Sequence, residues 1–453
     1  AKQGGFADRV IAALKGEDEP AIRRQRLHLD VRPVIKQIDT LAGEFEASTN
    51  YLYTTYHGDV NDVQPLGEKA VVVLGSGPYC IGSSVEFDWC AVNTGKTLQR
   101  HGWQTIIVNS NPETVSTDFD RSNRLYFEEL TLERMQDIAD FEQPHGVVVS
   151  VGGQIANNLA LPLAQAGYPI LGTPPDQIDR AEDRQKFSSM LSQLGVDQPA
   201  WEEVSTLQKA KAFAKKVGYP VIIRPSYVLS GGAMKVVLDE NSLARYLSEA
   251  AEVSPDHPVV ISHFIANSKE IEIDGVAKEG KLQIYAISEH IENAGVHSGD
   301  ATVVFPAQRL YLETVRKAKQ ITRQIISNLN ITGPFNVQFI AKDNDLKVIE
   351  CNVRASRSFP FVSKVTGHNF IAIATESILG VTSDTDYQTL EYDYVGVKSP
   401  QFSYNRLKGA DPVAGVEMAS TGEVACFGGN IQEAFYSSWL ATEQRVKGKN
   451  LFL

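Results

Sequence analysis

FNVQFIAKDNDLKVIECNVRASRSF, residues 335–359, reads as two β-like runs, FNVQFI and LKVIECN, joined by a short polar turn. An odd loop centred on Asn344 sets Gln338 opposite Glu350 and Asn336 opposite Asn352 across the ladder. Glu350 and Asn352 share a face by the strand period of two. Three oxygen donors gathered there, Gln338, Glu350 and Asn352, suit a hard cation that completes its shell with water and phosphate. Arg354 and Arg357, just past the strand, are placed to hold a transferring phosphoryl group or its acceptor. A plain surface cluster of ion pairs accounts for the hairpin alone equally well.

Three further stretches favour phosphate chemistry. Arg184 in RAEDRQKF and Arg224 in VIIRPSYV flank the loop Ser230-Gly231-Gly232, whose backbone N–H groups can close over phosphates. In VVISHFIANSKEIEID, the backbone from His263 to Ile265 can read an adenine edge, with Glu270 near enough for ribose hydroxyls. Glu272 and Asp274 share the face of Glu270, and a solvated strand residue remains an open reading for one of them. EHIENAGVHSGD forms a polar turn at Gly295, Val296, His297 and Ser298, which reads as an active-site loop in that company.

Around this centre the chain divides by texture. From Lys69 short β-branched runs alternate with helical stretches, the pattern of a parallel α/β sheet with helices on its faces, assigned to residues 67–178. Residues 179–380 read as a second, α+β domain with helices at 183–194, 205–218 and 312–329. Residues 1–66 read as helical: Phe6, Val10, Ile11 and Leu14 share one helix face, and a second amphipathic pattern runs through VIKQIDTLAGEF, 34–45. The tail from 381 contains no low-complexity segment, and the chain reads as a piece of something longer.

GSGPYCIG after AVVVL invites a dinucleotide reading. The glycines are Gly75, Gly77 and Gly82, so Cys80 occupies the third position of the fingerprint, and the next strand ends in Asn109 rather than an acid. A structural turn, or contact with a different ligand, is the better reading. NSNPETVSTDFD, from Asn109, is an ordered loop at the carboxyl ends of the strands, where ligands of such sheets also gather.

The formal net charge of −12 opposes a broad grip on nucleic acid, and the longest apolar runs are too short to span a bilayer. The four cysteines form no C-x-x-C pair, which argues against a disulfide framework and against zinc.

Together NPETVSTDFD, RAEDRQKF, RPSYVLSGGAM, ENAGVHSGD and ECNVRASRSFPFVSK resemble carbamoyl phosphate synthetase, specifically the second synthetase half of its large chain, an ATP-grasp enzyme. The resemblance runs over nearly the whole chain. It implies an α/β fold in which a parallel-sheet pre-ATP-grasp domain, 67–178, precedes an ATP-grasp domain, 179–380. Residues 1–66 would then be the tail of a helical oligomerisation region and 381–453 the end of the synthetase unit.

It further implies that carbamate is phosphorylated by ATP with magnesium or manganese. Arg184, Arg224, Gly231 and Gly232 would contact ATP phosphates, His263, Ile265 and Glu270 the nucleoside, and Gly295, Val296, His297 and Ser298 the nucleotide-side loop. Gln338, Glu350 and Asn352 would hold the metal, with Gln338 and Glu350 also on ATP, while Asn352, Arg354 and Arg357 serve catalysis. The implied partners are the first synthetase half of the same large chain, a glutaminase and a C-terminal allosteric domain that this chain lacks, in an oligomer located in cytoplasm or mitochondrion. Val353 stands where bacterial relatives often carry proline, and the tail leans towards an arginine-type fungal enzyme. The competing readings are another bicarbonate-activating ATP-grasp ligase, such as a biotin carboxylase, and a non-catalytic fragment that binds nucleotide or docks partners.

Overall fold

A computed structural model describes residues 1–83, 85–224, 234–253, 259–381, 392–403 and 413–442. They form two compact units, one within 1–79, 85–178 and 371–382, the other within 80–84, 179–370 and 383–453.

The first unit is built on a six-stranded sheet. Its strands are β1 (Val34–Gln37), β2 (Tyr51–Thr55), β3 (Ala70–Leu74), β4 (Gln104–Val108), β5 (Arg124–Tyr126) and β6 (Gly146–Val148). They lie in the order β1-β2-β5-β4-β3-β6, parallel throughout except that β1 runs antiparallel to β2. All five residues of β3 are buried, as a central parallel strand covered on both faces requires. Helices Val85–Arg100 and Leu132–Glu142 make the crossovers.

Two expectations for residues 1–66 need correction. Residues 34–45 are not a helix: β-branched Val34 and Ile35 pair with β2, and the chain then turns through Ala42 and Gly43, both at positive φ (54° and 71°), which a helix does not admit. Helices Asp8–Lys15 and Glu19–His28 do form, but the apolar stripe is not what they bury. Phe6, Val10 and Leu14 are 48%, 40% and 78% exposed, whereas Asp8 and Ala12 face inwards. The pair is seated instead by a buried ionic network. Arg26 donates to Asp8 Oδ2 at 2.7 Å and to Asp137 Oδ1 at 2.8 Å, and Arg23 donates to Asp137 Oδ1 at 2.6 Å.

The glycine turn after β3 is closed by protein rather than open to a cofactor. Asn109, fully buried, accepts from Gly77 N at 3.1 Å and Asn111 N at 3.2 Å and donates to Ser116 Oγ at 3.2 Å. A Cβ on Gly152 would lie 2.3 Å from the Gly75 carbonyl oxygen, so the loops after β3, β4 and β6 fill the end of their own sheet.

The second unit contains two antiparallel sheets. The smaller comprises β7 (Trp201–Val204), β8 (Val221–Arg224), β9 (Lys235–Val237) and β10 (Val259–His263), ordered β7-β10-β8-β9. It buries Val221, Ile223 and Ile261 with Phe213 and Leu243 of helices Leu207–Val217 and Glu240–Val253. Thr206 caps the first of these by accepting from Lys209 N, and the helix stops at Gly218, φ 88°.

The larger sheet comprises β11 (Lys269–Lys278), β12 (Lys281–Asn293), β13 (Val303–Phe305), β14 (Gly333–Lys342), β15 (Asp345–Asn352), β16 (Val395–Gln401) and β17 (Gly422–Gly428). Their order is β15-β14-β11-β12-β13-β16-β17. β16, β17 and helix Ile431–Ala441 come from the tail that the sequence left without assigned elements.

Candidate active site on the large sheet

The β14–β15 hairpin reaches the expected pairing by a different route. Its loop has two residues, Asp343 and Asn344, both at positive φ, and closes on the Lys342–Asp345 pair. That register alone would set Ile349 opposite Gln338 and turn Glu350 to the other face. A bulge at Ile349 moves the register by one, so Gln338 pairs with Glu350 and Asn336 with Asn352. Helix Arg184–Gln193, capped by Asp183, holds that bulge: Arg184 Nη1 donates to the Ile349 carbonyl at 2.5 Å.

Glu350 is the hub. Its Oε1 accepts from Asn352 Nδ2 and its Oε2 from Arg224 Nη2, each at 3.1 Å. Burial opposes its charge, but Arg224, the Asn352 hydrogen bond and Arg354 prevail and hold the carboxyl below its ordinary range. Burial and the neighbouring Arg224 push Arg184 down to about 9, with Glu350 opposing. The Nε of Arg184 is buried without a hydrogen-bond partner, so this guanidinium retains donor capacity. Arg354 donates to Asn352 Oδ1 at 3.2 Å. Arg357 diverges from Arg354: its Nη1 lies 3.2 Å from Met418 Sδ, against Gly299.

Loop 294–300 joins this group through Ser298, whose hydroxyl accepts from Gln338 Nε2 at 3.4 Å. Gly295 sits at φ 118°, where a Cβ would meet the Phe264 ring at 2.9 Å, and half-buried Val296 follows it. His297 accepts from Gly299 N at Nδ1, 3.0 Å, and burial first of all depresses its pKa, so the ring is a neutral loop brace.

His263 ends β10 opposite Val221, and its N donates to the Ala200 carbonyl at 2.8 Å. The Ile265 carbonyl accepts from Ser268 Oγ, and Ile265 lines a cavity of about 260 Å³ with Ile340, Lys342 and Lys347. Ile340 follows Gln338 on the same face of β14, so this cavity continues the site towards the hairpin tip. Gly231 and Gly232 lie outside the described residues.

β11 supplies a floor of carboxylates that the sequence reading only partly resolved. Glu270, Glu272 and Asp274 pair with Ile340, Gln338 and Asn336, and all three are buried. His290 of β12, absent from the expected set, lies 3.1 Å from Glu272 Oε1 and 3.8 Å from Glu270 Oε2. Burial pushes Glu270 up to about 7; His290 opposes this, while Glu272 and Glu350 reinforce it. Burial disfavours the His290 cation, but Glu270 and Glu272 outweigh it and raise the ring's pKa. The clue was the spacing of EHIEN, which sets His290 on the inward face of a strand opposite the acids.

Among the described residues no group of three or more His, Cys, Asp or Glu is arranged to hold a metal ion. The Gln338, Glu350 and Asn352 set nevertheless fits magnesium or manganese. It contains one carboxylate and two amides, which give an all-oxygen donor set once the Asn352 amide, whose Nδ2 faces Glu350 and whose Oδ1 accepts from Arg354, turns its oxygen to the ion.

The family model described as the carbamoyl phosphate synthase preATP-grasp domain matches residues 67–180. The model of the carbamoyl-phosphate synthase L chain, ATP binding domain, matches residues 183–383. The multifunctional protein URA2 of Saccharomyces cerevisiae is 57% identical over 455 residues, covering 100% of this chain and 20% of that protein. The arginine-specific large chain, mitochondrial, of Schizosaccharomyces pombe is 54% identical over 452 residues, 98% of this chain and 39% of that one. The chain thus spans about a fifth to two fifths of these relatives, and their similar identities do not bear out the lean towards the arginine type. An ADP complex of the N5-carboxyaminoimidazole ribonucleotide synthetase purK superposes with a TM-score of 0.63 at 13% identity, over 84% of this chain and 99% of that one. A biotin carboxylase from Campylobacter jejuni, in a nucleotide complex, gives the same TM-score at 15% identity, over 82% and 90%. At such identities these two likenesses speak for the fold alone, whereas the two matched domains and the identity along the whole chain place it by descent: this chain belongs to the carbamoyl phosphate synthetase large-chain family.

Proposed function

We propose that this chain transfers the γ-phosphoryl group of ATP to carbamate, giving carbamoyl phosphate and ADP, as the second synthetase half of a carbamoyl phosphate synthetase. The observation that carries this reading is the Glu350 hub, an anionic centre with Arg224 and Arg184 on one side and Asn352 and Arg354 on the other.

Phosphoryl transfer needs in-line placement and charge neutralisation more than a covalent nucleophile. A carbamate oxygen forms the new bond to the γ-phosphorus as the bond to the β,γ-bridging oxygen breaks, and ADP leaves with that electron pair. Arg184 and Arg224 bind the phosphates, and Gly231 and Gly232, outside the described residues, are assigned to the same phosphates by family resemblance. Gln338, Glu350 and Asn352 would hold magnesium or manganese, which when bound neutralises phosphate charge. Arg354 and Arg357 orient the carbamate and the moving group. His263, Ile265 and Glu270 take the nucleoside, and Gly295 to Ser298 hold its phosphate side through Ser298 and Gln338.

Carbamate comes from the first synthetase half, which activates bicarbonate with another ATP and uses ammonia released by a glutaminase. A C-terminal allosteric domain and oligomeric assembly, with residues 1–66 as the end of the assembling region, complete the enzyme in cytoplasm or mitochondrion. No helix of the described residues is long and apolar enough to cross a membrane. The test is ATP formation from ADP and carbamoyl phosphate with magnesium, which needs neither ammonia nor the first half. ATP production supports the reading; ADP binding without ATP production opposes it.

A further inference from the structure

We propose that Asp274 is a positioning residue for phosphoryl transfer: through Ser356 it fixes the strand-exit loop from which Arg354 and Arg357 project. This deepens the function proposed above and rests on it.

The loop between β15 and helix Phe359–Thr366 carries two guanidiniums with many rotamers, so its backbone must be pinned for either to be aimed. Val353 and Ala355 are buried at 1% and 0% exposure and fix its apolar side. Its polar anchor is Ser356, between the arginines. Ser356 Oγ donates to Asp274 Oδ1 at 2.6 Å and accepts from Ser358 N at 3.2 Å, while the Ser356 carbonyl accepts from Phe359 N at 3.2 Å. The loop is thus tied to the middle of β11, 82 residues away in sequence.

Asp274 is fully buried, and this placement has a cost. Its Oδ1 also accepts from Asn336 Nδ2 at 2.8 Å, whereas its Oδ2 has no hydrogen-bond partner. A half-satisfied buried carboxyl is a poor way to stabilise a sheet, because an apolar residue of similar size avoids the desolvation penalty. A carboxyl does provide a short, directional acceptor for Ser356. Asn336 couples the same carboxyl to the hub, since its Oδ1 accepts from Asn352 Nδ2 at 3.4 Å. Asp274 therefore braces both sides of the site, the arginine loop through Ser356 and the amide ligand through Asn336.

The experiment uses the whole chain and follows ATP formation from ADP and carbamoyl phosphate, with ADP affinity and melting temperature measured alongside. Ser356→Ala keeps the volume and removes the hydroxyl. It is expected to lower kcat/KM for carbamoyl phosphate about 10- to 100-fold through misplacement of the arginine loop, with ADP affinity nearly unchanged and the melting temperature lowered by no more than the loss of one buried hydrogen bond. Asp274→Asn retains an acceptor for Ser356 and should lose less than tenfold. The double variant Asp274→Asn/Ser356→Ala should lose less than the product of the two single losses, because the Ser356–Asp274 bond is shared between them.

Wild-type kcat/KM in Ser356→Ala, with the parent chain active, overturns the positioning role and leaves the proposed function standing. Losses that multiply in the double variant overturn it too. A parent chain that binds ADP and makes no ATP overturns the functional reading and this inference with it.

Discussion

Arg184 Nη1 donates to the carbonyl oxygen of Ile349, and Ile349 is the residue of β15 that the β14 register skips. Arg184, proposed to bind the ATP phosphates, therefore also holds the backbone irregularity that turns Glu350 to the face of Gln338 and Asn352. Local ladder disruption, normally a cost, here decides which face the carboxylate occupies.

Glu350→Ala removes a strand-end carboxylate rather than core volume. ATP formation from ADP and carbamoyl phosphate should fall at least 10²- to 10³-fold at saturating magnesium, the scale seen when one preorganised charge partner is lost. The melting curve should stay cooperative and close to that of the parent. Normal turnover would remove Glu350 from the site.

Glu270 gives a pH signature with a definite sign. Its carboxyl holds its proton up to about 7 in the fold, against 4.5 as the reference value. The folded state thus binds the extra proton between those values, so this stability is fully present below about 4.5 and is lost as pH rises through about 7. Glu270→Gln mimics the protonated form. Its melting temperature relative to the parent should climb between pH 5 and pH 8, and a constant difference across that range would contradict the assignment.

Arg26→Ala strands Asp8 and Asp137 without a shared partner, both being under 5% exposed at the side chain. Because Lys2 stays 3.0 Å from Asp8 and Arg23 2.6 Å from Asp137, the loss should fall below the ~3–5 kcal/mol typical of leaving a buried charge uncompensated, at about 1–3 kcal/mol. Hydrogen exchange should show helices Asp8–Lys15 and Glu19–His28 opening first. If urea denaturation finds the variant within about 0.5 kcal/mol of the parent, the network is not what seats them.

Gly152→Ala tests the closed end of the first sheet. A Cβ there meets the backbone oxygens of Gly75 and Leu74 at 2.3 and 2.4 Å, where no flexible side chain can yield. Backbone displacement should cost about 1–3 kcal/mol or more, read as a lower urea midpoint with an unchanged slope.

The sequence disclosed what is periodic. The AVVVL and QTIIV runs identify buried parallel strands, and the Glu350–Gln338 pairing was foreseen, although through an odd loop instead of a two-residue turn and a bulge. The two routes differ by one residue in the loop and one in the strand, and these cancel before reaching the site. The amphipathic pattern of VIKQIDTLAGEF, 34–45, carries no sign of the positive φ at Ala42 and Gly43 that breaks a helix there. The Phe6, Val10 and Leu14 stripe misled similarly, since ionic pairing with residues over a hundred positions away leaves no local periodicity. Ser356 is invisible as a site residue for the same reason, its role coming from a strand 82 residues away, whereas the EHIEN spacing faces His290 inwards without showing which acids it meets.

The larger sheet has a consequence for dissecting this enzyme. Similarity to the ATP-binding domain stops at residue 383, yet β16 and β17 lie beyond it and add the last two strands, with Val395 and Val397 packed on Val304 and Ala434. A fragment cut at that border would keep Glu350 and its neighbours but leave β13 as a bare edge, ready to recruit strands from other molecules. The border of the matched ATP-binding domain and the cooperative folding border therefore do not coincide, and a soluble minimal fragment must extend through helix Ile431–Ala441.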